Sequence, residues 1–383
     1  MKIAGTLIAI ALVIAGIAGV ATMTATPAKP VTPPAAPKKP LIQVAILLDT
    51  SGSMTGLIDQ ARTQLWRVVN EFATGKRDGQ TPDIQVALYE YGNDGLPAEQ
   101  GYIRRILPLT TDLDKVSEEL FALTTNGGSE YCGQVIDEAT KELSWSMSND
   151  DLKVIFIAGN EEFTQGSVPY KGACQRAIAK GIAVNTIYCG AKQDTIAVEW
   201  NDGATLADGS FMAIDQNAQV AHVAAPQDRE IELLGEQLNT TYIAYGQAGS
   251  AGAARQNAQD ANSKINASAN VSRMVTKASA NYANSTWDLV DAKKEGKVDV
   301  EKLDPKELPA EMQKMTPAER RAYVEQKEKA RTEIQAKIRK LDDERKKYVA
   351  EQMKNQPAAA STLDKAVVRA VRSNGTKKGY TFQ

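Results

Sequence analysis

The chain reads Val44-Ala45-Ile46-Leu47-Leu48-Asp49-Thr50-Ser51-Gly52-Ser53-Met54 at the point where an apolar run meets a short polar motif. The mostly apolar residues 42–48 are typical of a strand that is buried on both faces of a parallel sheet. Residues 57–72 follow, with apolar side chains at helical spacing. The stretch therefore predicts a buried strand, a polar turn and an amphipathic helix, in that order.

The alternation of strands and helices continues to about residue 240. Strands are predicted at 42–48, 84–91, 103–107, 154–157, 182–188 and 211–214, and helices at 57–72, 113–123, 132–143, 170–180 and 229–238. We expect the short strand at 103–107 to lie at an edge of the sheet. This order is the signature of an α/β fold with a doubly wound, mostly parallel, Rossmann-like sheet, and we assign it to residues 41–245.

The polar motif suits a hard divalent cation. Asp49 follows a buried strand, and the carboxyl end of such strands is where open α/β sheets bind ligands. Ser51 and Ser53 add two neutral hydroxyl oxygens to its carboxylate. Because the hydroxyls are neutral, most of the cation's charge would stay available to an outside carboxylate. The competing interpretation is an Asp–Ser turn that caps the following helix.

The segment from Val44 to Met54 resembles the first strand and metal loop of the von Willebrand factor type A family, which includes the integrin inserted domains. The resemblance covers about residues 41–240. It implies a metal-ion-dependent adhesion site and a function in binding rather than catalysis. Mg²⁺ is the cation we expect, with Ca²⁺ and Mn²⁺ as alternatives.

The second loop of the family usually carries Gly-Gly-Thr, and its threonine faces the metal. Here the sequence is Asn126-Gly127-Gly128-Ser129-Glu130-Tyr131. Ser129 stands at the threonine position, and Glu130 adds a carboxylate that the common pattern lacks. Both are candidate metal ligands, since hard cations accept hydroxyl and carboxylate oxygens. The alternative is that they cap the helix that begins near Cys132.

The third loop departs further from the family pattern, which has an apolar strand followed by Thr-Asp-Gly. Here the strand is followed by Ala158-Gly159-Asn160-Glu161-Glu162, so Gly159 stands at the aspartate position. Asn160 or Glu161 could replace the aspartate, directly or through water. Otherwise the site is one carboxylate short.

The N-terminus predicts export. Met1-Lys2 is followed by an uncharged, mostly apolar run to Met23, which is either a cleaved signal peptide or a retained membrane anchor at 1–25. A spacer rich in Pro and Ala occupies 26–40. Either interpretation places the remainder in the periplasm or cell envelope.

The chain has three cysteines, and an odd number in an exported chain suggests one disulfide and one thiol. On the fold that the resemblance implies, all three lie near the metal face. We expect Cys132 to pair with Cys174, and the alternative pair is Cys174 with Cys189.

Residues 246–383 differ in composition from the residues before them. The segment 253–282 has few large apolar residues, and we expect weakly packed helix there. Thr316-Pro317-Ala318-Glu319 predicts a helix start, and the helix continues to about residue 355. Its apolar positions fit a short coiled-coil seam: Ile334, Ile338, Leu341 and Tyr348. This stripe needs a partner, which could be the α/β domain, another copy or a different protein. We expect the α/β domain to fold without this extension.

Three functions compete. The first is a non-enzymatic binding or scaffold protein that recognises an acidic group on a protein partner. The second is a metal-dependent hydrolase with Glu130 or Glu161 as base. The third is a structural envelope protein with a vestigial metal site. The balance of 45 basic and 47 acidic residues argues against nucleic-acid binding, and the single histidine, His222, leaves little room for triad chemistry.

Overall fold

A computed structural model describes residues 39–218, 222–354 and 362–382. The signal or anchor expected at 1–25, and the spacer expected up to residue 38, lie outside the described residues. Within these three described ranges, none of the helices combines bilayer-spanning length with the apolar composition that a membrane crossing requires.

The strands form one six-stranded sheet, in the order β3-β2-β1-β4-β5-β6. They are β1 Leu41–Asp49, β2 Asp83–Tyr91, β3 Ile103–Thr110, β4 Leu152–Gly159, β5 Ile182–Tyr188 and β6 Phe211–Ala213. All neighbours pair in parallel except β3, which is antiparallel to β2 at the edge. The predicted α/β class and the predicted edge strand are both confirmed. The apolar β1 lies in the middle of the sheet because parallel strands with covered faces must be apolar on both.

Helices cover both faces of the sheet. Up to residue 239 they are α1 Thr55–Thr74, α2 Leu113–Ala122, α3 Cys132–Glu142, α4 Tyr170–Ala179, α5 Ala197–Leu206 and α6 Asp228–Asn239. Alternate residues of β1 enter two separate cores: Val44 and Leu48 pack with α1 and α2, while Ala45 and Leu47 pack with α3 and α4. This alternation follows from the period of two along a strand. Helix α5 was not predicted from the sequence.

The remaining helices are α7 Gly249–Ser263, α8 Ala267–Lys277, α9 Leu289–Lys294, α10 Pro317–Met353 and α11 Leu363–Lys377. The expectation of weak packing at 253–282 is wrong. Arg273 of α8 is fully buried, where it forms ion pairs with Asp114 of α2 and Asp260 of α7. Its guanidinium also lies 4.3 Å from the centre of the Trp66 ring. A buried polar network holds these helices where large apolar side chains are scarce.

The long helix α10 begins as predicted, with a capping box between Thr316 and Glu319. Its apolar stripe is covered by the chain itself. Ile338 is fully buried in a cluster that contains residues of α6 and α8, and Ile334 and Leu341 pack against that cluster. Self-association through a coiled-coil seam on helix 317–355 therefore loses its basis, because these three side chains already have partners.

Helix α11 belongs to the core of the sheet. Leu363, Val367, Ala370 and Val371 are buried in the same cluster as β1 and α1. Residues 39–383 form one compact unit. The domain boundary expected near residue 246 stays a prediction, but the packing of α11 changes the result that we expect when the extension is removed.

We predict that a chain ending at residue 354 is much less stable than the full chain. The deletion removes Leu363, Val367 and Val371 from the core, and burial of such side chains is worth about 1.5–3 kcal/mol each. Urea unfolding should show a loss of roughly 5 kcal/mol by this reckoning. The full-length variant Arg369→Ala, on the exposed face of α11, is the control. Equal stability of the truncated and full chains would show that the α/β domain is independent.

Candidate metal-binding site

The three loops singled out in the sequence meet at one edge of the sheet. Asp49 at the end of β1 is paired in register with Tyr91 at the end of β2, and Leu48 is paired with Ala158 of β4. Gly52 of the first loop donates its N–H to the carbonyl of Gly127 in the second loop, at 2.6 Å. The parallel register therefore brings the predicted motif residues to a common edge.

Asp49 is completely buried, with 0% of its surface exposed. Its Oδ1 accepts a hydrogen bond from the backbone N–H of Ser51 at 2.8 Å, whereas its Oδ2 is buried without a hydrogen-bond partner among the described residues. Burial raises the pKa of Asp49 to about 7, and the negative charges of Glu130 and Glu161 raise it as well. Hydrogen bonds from Ser51 act in the opposite direction. A buried carboxylate oxygen of this kind requires a partner, which a bound cation would supply.

Ser51 and Ser53 lie beside this carboxylate, and their hydroxyl oxygens are 3.2 Å apart. The Ser53 hydroxyl also donates to Oδ1 of Asn160 in the third loop, at 3.4 Å. Of the candidate ligands, Asn160 is therefore in contact with the motif.

Glu130 of the second loop is 4% exposed. Its backbone N–H donates to Oε1 of Gln165 at 3.2 Å. Burial raises the pKa of Glu130, the negative charge of Glu161 adds to this, and a hydrogen bond from the Ser51 side chain lowers it. Ser129 is only half-buried, and among the described residues no hydrogen bond of its hydroxyl is recorded. Oε1 of Glu130 and Cβ of Ser51 both lie beside the position that a Cβ on Gly128 would take, so the Glu130 side chain reaches the motif.

Gly159 lies against Tyr91, which the sequence did not indicate as part of the site. A Cβ atom on Gly159 would lie 2.5 Å from the Tyr91 hydroxyl and 2.9 Å from Oδ2 of Asp49. The Tyr91 hydroxyl is fixed there by a hydrogen bond to the carbonyl of Ala158, at 3.0 Å. The place next to Asp49 where the family has its aspartate is thus too small for any side chain.

The third loop is held by a helix that the sequence did not predict. Trp200 of α5 donates its indole N–H to the carbonyl of Glu161 at 2.9 Å. The same tryptophan packs on Phe163, with ring centres 4.6 Å apart. Glu161 itself is half-buried and acts on Asp49 and Glu130 through its charge. In the sequence, the only signal for this helix was Trp200, a large apolar residue in a segment without helical spacing.

The predicted disulfide is wrong, because all three cysteines are free and buried. The Cys132 thiol is directed at the Tyr91 hydroxyl, 3.8 Å away, and Cys189 packs in the core on the opposite face of the sheet from Cys174. A disulfide requires closely facing Cβ atoms, which this packing does not supply. Burial raises the pKa of Cys174 to about 12 and that of Cys132 well above its usual value. These thiols pack as small apolar side chains.

The residues present fit a divalent cation. Asp49, Glu130 and Glu161 repel one another, and within the described ranges none of the three forms an ion pair with a basic side chain. Nor do three His, Cys, Asp or Glu side chains converge in metal-holding geometry anywhere in residues 39–218, 222–354 or 362–382. The atoms at this edge that could bind an ion are carboxylate and hydroxyl oxygens. Hard cations prefer such oxygen ligands.

Comparison with known proteins identifies the family of this part of the chain. The family model described as von Willebrand factor type A domain matches residues 43–215. A comparison with curated proteins gives no match.

Three solved structures illustrate the similarity in fold. An aerotolerance-related membrane protein from Bacteroides fragilis NCTC 9343 is 17% identical with a TM-score of 0.33, over 46% of this chain and 93% of that one. The SpRpn10 VWA domain is 16% identical with a TM-score of 0.35, over 45% and 88%. The pilus adhesin SpaC from Lactobacillus rhamnosus GG is 13% identical with a TM-score of 0.35, over 48% and 29%.

We predict that Gly159→Ala destabilises the protein by about 1–3 kcal/mol, as overpacking of a close contact does. The added methyl group must move the Tyr91 hydroxyl or the Asp49 carboxylate. In a Tyr91→Phe background the loss should be smaller, because the hydroxyl is gone. A double-mutant cycle by urea unfolding measures this coupling. Additive effects of the two substitutions would contradict the proposed contact.

We also predict three free thiols per chain. Protein that is purified without reductant and then denatured should react with three equivalents of a thiol reagent, since the three cysteines are unpaired. The native protein should react slowly, because buried thiols of raised pKa are poor nucleophiles. If only one thiol reacts after denaturation, the other two form a disulfide and the prediction is wrong.

Proposed function

Because residues 43–215 form a von Willebrand factor type A domain, we propose that this protein is a non-enzymatic binding or scaffold protein that captures a protein partner through a divalent cation. Asp49, Ser51 and Ser53 would hold the cation. Ser129, Glu130, Asn160 and Glu161 are further candidate ligands around it.

The buried carboxylate of Asp49 is the observation that carries this proposal. An ionised carboxylate is very costly to bury without a counter-charge. Within the part of the chain that the structure describes, Oδ2 of Asp49 has no hydrogen-bond donor, and the charged neighbours that act on the carboxylate are themselves negative. A bound cation would give Oδ2 of Asp49 a partner, and it would also offset the repulsion between the carboxylates.

When bound, a divalent cation supplies a concentrated positive charge that attracts anionic oxygen atoms. The carboxylate of Asp49 binds it, and the hydroxyls of Ser51 and Ser53 orient it without neutralising it. Mg²⁺ fits this small donor set best, with Ca²⁺ and Mn²⁺ as alternatives. A carboxylate on the partner protein is the group that we expect to reach the site.

Binding is favoured over hydrolysis by the surroundings of the site. The single histidine, His222, lies next to α6, with its Nε2 3.3 Å from Asp228. The side chains of Asp49 and Glu130 border the same small space beside Gly92, as two ligands of one ion would. Together with the apolar segment that ends at Met23, this supports a binding protein of the cell envelope, either anchored or released.

We predict that Mg²⁺ or Mn²⁺ raises the melting temperature of the full-length protein. A ligand at 100 times its Kd stabilises a protein by about 2.7 kcal/mol. Asp49→Ala should abolish the shift, and Ser51→Ala or Ser53→Ala should reduce it. Asp59→Ala, which removes an exposed carboxylate on α1, is the control and should respond like the wild type.

The same variants can be used to capture a partner protein from envelope extracts, once in the presence of Mg²⁺ and once in the presence of a chelator. Capture should require both the ion and Asp49. If wild type and Asp49→Ala respond equally to the ion, the cation site is vestigial and the proposed function fails.

A further inference from the structure

We propose that Glu130 is the second carboxylate of the cation site, in place of the aspartate that Gly159 cannot provide, and that it competes with the partner's carboxylate for the ion. This inference rests on the proposed function, because it assumes that the site binds a divalent cation. It adds a ligand exchange at that site, which the sequence motif does not require.

The position of the Glu130 side chain is the first support. A Cβ atom on Gly92 would lie 2.9 Å from Oδ1 of Asp49 and 2.9 Å from Cγ of Glu130, so both side chains border the same small space. A Cβ atom on Gly128 would contact both Oε1 of Glu130 and Cβ of Ser51. Because Gly92 and Gly128 have no side chains, there is space for the Glu130 side chain next to the motif.

Ser51 links the two carboxylates. Its backbone N–H donates to Oδ1 of Asp49, and its Cβ and Oε1 of Glu130 both lie beside the position that a Cβ on Gly128 would take. The residue that the motif assigns to the cation therefore lies next to both carboxylates. One ion beside Ser51 could be shared by both of them.

The third loop is closed to an acidic residue at the usual place. Tyr91 fills the space beside Gly159, and its hydroxyl is held by the carbonyl of Ala158. The acidic side chains that act on Asp49 are Glu161 of the third loop, which is only half-buried, and Glu130 of the second loop, which is buried. Glu130 is 4% exposed, and it forms no ion pair within the described residues that would explain its burial.

The charge of the loaded site follows from this second carboxylate. A divalent cation bound to Asp49 alone keeps one positive charge, whereas a cation bound to Asp49 and Glu130 keeps none. Glu161 adds a further negative charge nearby. Since like charges repel strongly at partly buried sites, an outside carboxylate binds only in exchange for Glu130.

The experiment compares wild type with Glu130→Gln, which keeps the size of the side chain and removes its charge. Glu138→Gln is the matched control, since Glu138 is a partly buried glutamate on α3 whose carboxylate is hydrogen-bonded by Gln134 at 2.9 Å. Calorimetric titration with Mn²⁺ or Mg²⁺ alone should show weaker binding by Glu130→Gln, on the order of tenfold. Glu138→Gln should bind the ion as the wild type does.

The second measurement tests the competition. Acetate is added to the Mn²⁺-saturated protein, and the fall in water-proton relaxation reports its binding to the ion. Glu130→Gln should bind acetate about tenfold more tightly than wild type, which corresponds to about 1.4 kcal/mol. Circular dichroism and melting curves confirm that both variants are folded.

Each outcome decides the proposal. Weaker ion binding with tighter acetate binding in Glu130→Gln supports it. If Glu130→Gln binds the ion like wild type while Asp49→Ala does not, Glu130 is no ligand and only the proposed function survives. If the ion binds more weakly but acetate binding is unchanged, Glu130 is a ligand without competition, and the proposal is overturned. If wild type binds no ion, the proposed function fails as well.

Discussion

The burial of the Asp49 carboxylate is the constraint on which the site depends. Asp49 ends the central strand, whose pairing with β2 and β4 fixes the positions of all three loops. The ionised carboxylate is unfavourable in this place, as its raised pKa of about 7 shows. Gly92 and Gly159 leave no room beside the carboxylate for a donor side chain of their own, because a Cβ on either would lie 2.9 Å from one of its oxygens. A fold that buries such a group would gain stability from a bound cation.

The parts of the fold that the sequence predicted are those with strong local signals. The apolar strand before Asp49, the alternation of strands and helices, and the capping box at Thr316 all depend on nearby residues. Helix α5 was missed because its segment has no clear helical periodicity and only Trp200 suggests a core position. The disulfide was expected from composition and location, whereas all three thiols are buried and free, and Cys189 lies on the other face of the sheet from Cys132 and Cys174.

Packing over long distances in the sequence explains the other errors. The segment 253–282 has few large apolar residues, so its composition suggested weak packing. The structure uses Arg273 instead, which joins α2, α7 and α8 through Asp114 and Asp260. Burial of such an ion network costs desolvation free energy, but its hydrogen bonds fix how the three helices pack. In the same way, the identity of Gly159 reveals a missing carboxylate, but only the register of β2 against β1 shows that Tyr91 has taken its space.

The second and third loops are connected, and this affects how the site can respond to a ligand. The N–H of Glu130 is bound by Gln165 of the third loop, and the carbonyl of Glu161 is bound by Trp200 of α5. The backbone on both sides of the site is therefore anchored, whereas the Glu130 side chain forms no ion pair within the described residues. Exchange of Glu130 for an outside carboxylate then requires a side-chain rotation and no movement of the sheet. Such a change is small enough for the domain to bind and release a partner while its core stays unchanged.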